Sequence, residues 1–407
     1  MERTDLVVVG CGPAGATAAR EAARAGVETV VLEKDPVVGA KRVCAAGLRP
    51  GFCDTFDLPR EIVHCDTPRV ALFDVAGTEH AVLFGPGHTT TREELDGTMG
   101  GLATREGAHV RTQTLFRSVR GDGERGAIVE YADLRAGERR RIAARNVFLA
   151  TGATFNEENV VSTREQSRSP LQFAPWRDGL ITTLQYRVYL DGRAADVAYQ
   201  TMEMHYYCAQ NGRQIVAWMF PKRDHLAIGL GVMGKMPGVQ LRQELDAFTE
   251  RIRRRLYSTV GVLRVKQEGH LLYGGNPRRA FSDGAVLLGG TAAGLVDATN
   301  GEGIFEAAMS GRLAAQAIAA DRSGPRRAAT RYASAVASRF ARRLVHRVKL
   351  MRFLERRPAR FAVLFEQLAR SPRFADVLQK EDFERSAADR LYLYGQAARF
   401  ALRAGWG

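Results

Sequence analysis

The sequence predicts an α/β fold: a parallel-sheet βαβ domain, interrupted by an antiparallel β-sheet and closed by a helical C-terminal region. Three observations predict it. A glycine-rich turn, Gly10-Cys11-Gly12-Pro13-Ala14-Gly15, follows an apolar strand and opens an alanine-dense helix. Four successive strand-like stretches lie between Leu180 and Gly231. Beyond Ser323-Gly324-Pro325 the chain is helical and basic to its end.

The N-terminal elements are read first. Asp5 to Val9 is an apolar strand, Ala14 to Gly26 a helix, and Val30 to Glu33 a second strand. In a G-x-G-x-x-G turn, Gly10 permits the tight bend, Gly12 lets backbone approach a pyrophosphate, and Gly15 lets helix lie on strand. Pro13 and Ala14 begin the helix, whose unpaired N–H groups and dipole favour an anion. Glu33, followed by Lys34, ends the second strand, where a carboxylate accepts from ribose hydroxyls and disfavours a 2′-phosphate. This is a Rossmann-type unit for FAD or NAD rather than NADP.

The remaining elements follow in order. A loop runs from Pro36 to Pro50, and Arg69 to Leu83 reads as two strands about Ala76-Gly77. Thr91-Arg92-Glu93-Glu94 opens a helix reaching Glu106; strands follow at Gln113–Val119, Gly126–Leu134 and Asn146–Ala150. The sheet strands are Leu180–Leu190, Tyr199–Cys208, Gln214–Phe220 and His225–Gly231. Leu241–Tyr257 is an amphipathic helix, Ala285–Leu288 a buried strand, and Gly303–Asp321 an alanine-rich helix. The expected domains are a discontinuous nucleotide domain (1–60, 88–165 and 275–325), a sheet domain (66–87 and 175–272) and a helical region (326–407).

Bulk properties bound the function. A chain of 407 residues with mean hydropathy −0.22 is large enough for two or three domains. No apolar run reaches the length of a membrane-spanning helix, and a strand begins too early to leave room for a signal peptide. The five cysteines (Cys11, Cys44, Cys53, Cys65 and Cys208) are scattered without C-x-x-C spacing, which argues against a zinc site or disulfide framework and fits a reducing cytosol. A cytoplasmic protein is expected, or one peripheral on the cytoplasmic face of a membrane. From Arg331 onward 17 Lys+Arg stand against 7 Asp+Glu, so +10 of the net +14 lies there. Leu344-Val345, Val348, Leu350-Met351 and Phe353-Leu354 lie there among the basic residues, and Phe361, Leu364-Phe365 and Leu368 continue at helical spacing. They read as a basic amphipathic face for an anionic bilayer, or as a solvated helical cap. No nucleic-acid signature is present.

A second constellation is Val286-Leu287-Leu288-Gly289-Gly290-Thr291-Ala292-Ala293-Gly294, then Gly301-Glu302-Gly303-Ile304 and Ala307-Ala308-Met309-Ser310-Gly311-Arg312. Small residues let a loop lie against a flat ring, and the N-terminus of the following helix would stabilise a reduced, anionic flavin. This segment resembles the flavin segment of the geranylgeranyl reductases. Trp218-x-Phe220-Pro221-Lys222-x-Asp224-His225 resembles their Trp-x-Phe-Pro motif, and Cys44-Ala45-Ala46-Gly47-Leu48-x-Pro50 their Cys-Gly-Gly loop. Phe56-Asp57-Leu58-Pro59 is similar to the version in the chlorophyll and bacteriochlorophyll branch.

The resemblance implies an FAD-binding domain and an enzyme saturating the double bonds of a geranylgeranyl group, as the diphosphate or the pigment ester, to phytyl. It implies NADPH or reduced ferredoxin as electron donor, and an isoprenoid or pigment as substrate. Ala150, Gly152, Gly290, Thr291, Gly301, Gly303 and Ile304 would then lie at the flavin, with Arg92 at the FAD or at a solvated helix start. Cys44 would face the flavin and the alkene as proton donor, unless it is a small buried hydrophobe. Trp218, Phe220 and Pro221 would line an apolar tunnel or form sheet core; Tyr206, with His205 and Tyr207, would be pocket wall. Lys222 would meet a phosphate or carboxylate, and His225 is either structural or at the site. Thr291 stands where the family has an Asp bonded to the ribityl chain; a lost charge-assisted hydrogen bond is worth roughly 1.5–3 kcal/mol, so weaker FAD binding is expected. Ala45-Ala46 replaces Gly-Gly, and Ala150-Thr151-Gly152 replaces Ala-Asp-Gly. The rivals are a flavin monooxygenase or halogenase of the same fold, whose Trp-x-Trp-x-Ile-Pro motif is missing here, and a non-catalytic isoprenoid- or pigment-binding protein.

Overall fold

The structure, a computed structural model, describes residues 1–40, 44–121, 125–154, 159–161, 171, 179–192, 194–198, 200–209, 211–234, 236–322, 324–380 and 384–405. Tyr199 of an expected strand, Ser323 of the expected break, and parts of the Pro36–Ala46 and Gly121–Gly126 loops lie outside the described residues. Two compact units share the chain, each built from three separated segments. The first takes 1–42, 92–180 and 272–345; the second takes 43–91, 181–271 and 346–407.

Among the described residues the strands begin with β1 (Glu2–Val9), β2 (Thr29–Leu32), β3 (Gly47–Leu48), β4 (Cys65–Phe73), β5 (Glu79–Thr89) and β6 (His109–Arg111). They continue with β7 (Thr114–Gly121), β8 (Ala127–Asp133), β9 (Glu138–Leu149), β10 (Val160–Val161), β11 (Leu180–Leu190) and β12 (Thr201–Cys208). The last are β13 (Gln214–Pro221), β14 (His225–Met233), β15 (Val262–Tyr273), β16 (Ser282–Asp283) and β17 (Val286–Leu288). The helices are α1 (Pro13–Arg24), α2 (Phe52–Thr55), α3 (Arg92–Arg105), α4 (Ala194–Val197), α5 (Gly238–Leu256) and α6 (Ile304–Ala320). They end with α7 (Pro325–Val336), α8 (Arg342–Glu355), α9 (Arg360–Ala369), α10 (Pro372–Gln379) and α11 (Ala387–Ala404).

In the first unit the sheet order is β10-β7-β8-β9-β1-β2-β6, with β17 also on β9. β1 lies parallel between β9 and β2, so Val7 pairs with both Val147 and Val30. Leu6–Val9, Val30–Leu32, Val147–Leu149 and Val286–Leu288 are almost wholly buried. Continuous apolar runs of this kind suit parallel strands covered on both faces. α1 packs along α6 at backbone distance: a Cβ on Gly311 would stand 2.1 Å from Ala14 O and 2.8 Å from Ala18 N. On β9 and β17 sits α7, whose Tyr332 meets Phe148 edge-on at 5.9 Å and donates to Leu288 O at 2.5 Å.

The second unit holds a sheet of order β15-β11-β14-β13-β12-β4-β5-β3. It is mixed rather than antiparallel throughout, because β12 runs parallel to β4, with Met204 beside Leu72. The period-2 pattern of one strand is blind to its neighbour's direction, so the sequence missed this pairing. One face carries Ile215, Ala217, Met219, Leu226, Ile228 and Leu230, packed on Leu241, Leu245, Phe248 and Ile252 of α5.

The units' bounds differ from the three-part division read from the sequence. Residues from Cys44 on join the sheet because Gly47 and Leu48 pair with Thr89 and His88. The helical region is divided, with α7 on the first unit's sheet. Of its expected apolar residues, Leu344, Val348, Met351, Leu354, Phe361, Phe365 and Leu368 are buried, and Val345, Leu350, Phe353 and Leu364 are half-buried. They are core positions, and the bilayer face proposed for them is withdrawn; burial of a helix's apolar stripe is the ordinary outcome when neighbouring elements can cover it.

The Gly311 contact yields a stability test. Gly311→Ala forces a methyl onto a carbonyl oxygen, and overpacking of that kind costs about 1–3 kcal/mol. Calorimetry should show Tm lower by about 3–10 °C. Gly395→Ala in α11, where a Cβ meets nothing within 4 Å, should leave Tm unchanged or higher. A Gly311→Ala protein as stable as the parent would disprove the backbone contact.

Candidate functional site

Two constellations arise, one in each unit. In the first, the tip of β1 runs into the glycine turn. Gly10 has φ +93°, and a Cβ there would lie 2.6 Å from Ala150 O. Gly15 is tighter, with a hypothetical Cβ 1.8 Å from Gly10 O. No side chain caps α1 at Gly12, and its first turn carries no acid. The N–H groups of that turn are therefore left to an external anion, as helix N-termini are elsewhere. Glu33 stands at the end of β2 as the sequence placed it. Its carboxylate accepts from Cys11 N at 2.8 Å and from Asp35 N at 2.9 Å, which ties it to the glycine turn. Lys34 is exposed and pairs with Asp35 at 2.7 Å.

Arg92 also comes to this turn. It opens α3, is buried, and binds Asp96 through both oxygens at 2.8 and 2.6 Å. A Cβ on Gly12 would be 3.3 Å from Arg92 Nη2. This favours a place at the turn over a solvated helix start. Asp96, which fixes the guanidinium, was not singled out in the sequence; its spacing of four residues along one helix face was the available signal.

The second flavin-like segment meets the same turn. Gly290, with φ +56°, sits where the first turns of two helices converge: a Cβ there would lie 3.2 Å from both Ala14 Cβ and Ala307 Cβ. Its N–H donates to Ser310 Oγ at 3.0 Å. A Cβ on Gly289 would enter the Phe148 ring. Thr291 follows in a short 3-10 turn, Gly290–Ala293, packed against the turn at Gly152–Thr154. Thr291 is half-buried and its carbonyl accepts from Gly294 N at 2.9 Å. The loop to α6 is organised by buried Asp297, whose Oδ1 accepts from Thr299 N and Oγ1 at 2.9 and 2.5 Å. Asp297 O takes Gly301 N at 2.8 Å, and Gly303 then caps α6 ahead of half-buried Ile304. Glu306, 0% exposed in the first turn of α6, is met by Arg343 Nη2 at 2.6 Å. Sequence reasoning missed both acids, because a single carboxylate in a loop or helix carries no pattern.

The second unit gathers the other predicted residues. Strand alternation sends Ile215, Ala217 and Met219 into the α5 core and leaves Val216, Trp218 and Phe220 half-buried on the opposite face. Trp218 and Phe220 are therefore not part of that core. Trp218 Nε1 donates to Gln185 Oε1 at 3.0 Å. Its ring occupies space a side chain on Gly229 would need, 2.4 Å from the hypothetical Cβ. Phe220 lies against the Cys44 loop: a Cβ on Gly47 would stand 2.7 Å from Phe220 Cε2. Cys44 is half-buried, and its Sγ accepts from Ala46 N at 3.3 Å. Ala46 has φ +46°, a left-handed conformation that costs a non-glycine residue about 1–2 kcal/mol.

Three expectations change here. Lys222 is 1% exposed, and its Nζ donates to Ala45 O and Ala46 O, so it is not free to meet a phosphate. His205 and Tyr207 face Phe248 of α5 at 4.9 and 6.3 Å, while Tyr206 points the other way, so the three are not one wall. Tyr206 is itself covered, stacked on Phe361 at 4.9 Å and beside Phe365 at 5.0 Å. Pro221 is buried and its carbonyl accepts from Thr89 Oγ1 at 2.6 Å. His225 is structural in its contacts: burial pushes its ring down to about 4, against Asp224 at 2.7 Å. Among the described residues no group of acids, His and Cys is placed to hold a metal ion.

Comparisons with known proteins bear on the fold and on its relatives. A family profile described as FAD dependent oxidoreductase matches residues 5–84. A geranylgeranyl diphosphate reductase of Rhodobacter capsulatus is 28% identical, covering 78% of this chain and 75% of the relative. A digeranylgeranylglycerophospholipid reductase of Thermoplasma acidophilum is 26% identical, covering 78% of each. A solved geranylgeranyl bacteriochlorophyll reductase-like protein of Thermoplasma acidophilum superposes with TM-score 0.72 at 22% identity, over 99% of this chain and 98% of that one. The fold is thus that of the FAD-dependent oxidoreductases, with a mixed-sheet domain and C-terminal helices. By sequence the chain is related to the geranylgeranyl reductases at 26–29% identity, with the diphosphate reductases and the digeranylgeranylglycerophospholipid reductases at similar distance.

The residues present fit FAD: an uncapped helix start, glycines whose side chains would fill the turn, and an anchored Glu33. Thr291→Asp tests the ribityl position. Flavin titration by fluorescence quenching should show binding tighter by roughly ten- to a hundredfold, the equivalent of a charge-assisted hydrogen bond. No gain would place Thr291 away from the ribityl chain.

Proposed function

We propose that the protein is an FAD-dependent reductase that saturates the isoprenoid double bonds of a geranylgeranyl group. Glu33 would hold the ribose, the α1 start and Arg92 the pyrophosphate, and Ala150, Gly152 and the Gly290–Ile304 segment the flavin. Bound reduced flavin supplies the hydride for such a reduction. The electron donor in this reading is NADPH or reduced ferredoxin. A C=C bond reduced by hydride also needs one proton at the other carbon, and the group assigned to give it is Cys44 Sγ. A thiol can serve as that donor only while it is protonated. Trp218 and Phe220 offer the apolar surface on which a prenyl chain would lie. The pigment branch is favoured by Phe56-Asp57-Leu58-Pro59 and by Lys222-x-Asp224-His225.

The observation that carries this reading is the seating of the Cys44 loop on Phe220, on the sheet face that α5 leaves uncovered. Single-turnover kinetics test it. Cys44→Ser should slow reduction of geranylgeranyl diphosphate about 10²–10⁴-fold, as loss of a general acid does, with flavin reduction by the donor unchanged. A loss below about threefold would leave Cys44 a packing residue. Parallel assays on the pigment ester and on an archaeal diether lipid would decide the branch.

A lipid-tailed substrate also gives meaning to an exposed stripe on α11. Leu391, Tyr394 and Leu402 are 74%, 69% and 86% exposed. With Ala398 they fall within roughly 80° of the helix circumference, flanked by exposed Arg390, Arg399 and Arg403. Among the described residues no helix is long and apolar enough to cross a membrane. Apolar residues bordered by arginines match an anionic bilayer surface, with the chain lying on it rather than through it. Co-sedimentation should show binding to phosphatidylglycerol vesicles, weak binding to phosphatidylcholine, and at least fivefold weaker binding after Leu391→Glu with Leu402→Glu, on the order expected for losing two buried apolar anchors. If the double variant instead dissociates a dimer without changing vesicle binding, the face belongs to a second copy.

A further inference from the structure

Lys222 is a buried charge in the sheet unit that the proposed chemistry does not use. It follows β13, and its N–H donates to His225 O at 2.8 Å, which closes the hairpin to β14. That hairpin is fixed at its base by Thr89 Oγ1 on Pro221 O at 2.6 Å. The side chain runs inward, passes 5.9 Å from the Phe220 ring centroid, and ends with Nζ on the carbonyls of Ala45 and Ala46. Thr90 N holds the Ala46 carbonyl from another direction, at 3.0 Å. Two consecutive carbonyls can converge on one donor only when the peptide between them is turned, and here Ala46 is left-handed, at φ +46°. The same turn aims Ala46 N at Cys44 Sγ, 3.3 Å away. A glycine would adopt this conformation unaided; an alanine needs it to be held. An ammonium suits the task, since it has three donors and forms charge-assisted bonds to carbonyl oxygens.

We propose that Lys222 is a positioning residue: its buried ammonium, bonded to Ala45 O and Ala46 O, keeps Ala46 left-handed and so fixes Cys44 Sγ against the Ala46 N–H. The loop geometry stands by itself; its catalytic consequence rests on the reading of Cys44 as proton donor.

Three measurements on the full-length, flavin-loaded protein test it. Hydrogen exchange of the peptide spanning residues 44–49 should quicken at least tenfold in Lys222→Met. Lys222→Gln, which keeps one donor for a carbonyl and is the milder change if Met impairs folding, should fall between. The turnover number for geranylgeranyl diphosphate reduction should fall at least tenfold in Lys222→Met, with KM within about twofold and flavin reduction by the donor unchanged, because a displaced thiol affects the proton step alone. Ala46→Gly should recover part of that loss when combined with Lys222→Met, because the left-handed turn no longer needs holding. General core damage predicts equal losses in both backgrounds, and that result would overturn the proposal. Exchange unchanged within twofold in a folded Lys222→Met protein would overturn it as well. Faster exchange with undiminished turnover would uphold the clamp and remove Cys44 from the chemistry, which separates the two claims.

Discussion

The first unit depends on one close approach, that of the backbone of α1 to the backbone of α6. Ala14, Ala18 and Gly311 leave no side chain between the two helices. Helices packed through ordinary residues lie 8–10 Å apart, and small residues allow less. That nearness brings the first turn of α1 and the first turn of α6 to opposite sides of Gly290. Two helix starts without a side-chain cap thus border one strand-to-loop transition. A larger residue at Gly15, Gly290 or Gly311 would push them apart, and the nucleotide turn would lose its register with the Gly290–Ala293 segment. The buried Glu306–Arg343 pair works in the same place. A carboxylate in a helix's first turn is favoured by the dipole, and the arginine offsets the cost of burying it.

In the second unit the corresponding constraint is the alternation of β13. Odd-numbered residues from Ile215 to Met219 fill the core against α5, and even-numbered Val216, Trp218 and Phe220 stand on the other face. Gly229, paired with Trp218 across the strands, gives the indole room to lie over the sheet. A glycine in a central strand normally weakens it; here it makes space for a ring. The residues of a single motif therefore divide their labour. Trp218 and Phe220 form surface, Pro221 and His225 shape the hairpin, and Lys222 turns back to the loop it supports.

Much of this was legible in the sequence, for a physical reason. The glycine fingerprint has fixed spacing because backbone must meet backbone, so β1, α1 and Glu33 could be read from pattern alone. β11 and β13 kept their expected bounds to within a residue, because Leu184, Tyr186, Val188 and Leu190 alternate along β11 and Ile215–Phe220 is a short, bounded apolar run. What escaped lacked a period. β15 is an edge strand with Val262, Leu263 and Val265 all largely exposed, so neither face shows an apolar series. Asp297 acts within a loop and Glu306 through Arg343, 37 residues on, so neither shows a pattern; Asp96 alone had one, four residues after Arg92 on the same helix. The apolar residues of α8 and α9 were read correctly as a helical stripe and wrongly as a bilayer face, since periodicity reports that a stripe is buried without naming what buries it. Lys222 was assigned to a ligand because its own carbonyl partners lie nearly 180 residues away.

The interleaving of the chain has a consequence for how the protein comes into being. β1 is synthesised first, yet its neighbour β9 ends at Leu149 and the helix that covers α1 ends at Ala320. At about 5–20 residues per second, ribosomal elongation leaves the nucleotide turn without its second helix for roughly 15–60 s. During that interval the alanine face of α1 and the apolar strands β1 and β2 are open to other nascent chains. The second unit waits longer, because α9, which covers Tyr206, spans Arg360–Ala369. The first unit has all its segments once residue 345 is made, whereas the second also needs 346–407, so the first can close ahead of the second. Exposure of this duration is the circumstance in which a holding chaperone raises yield.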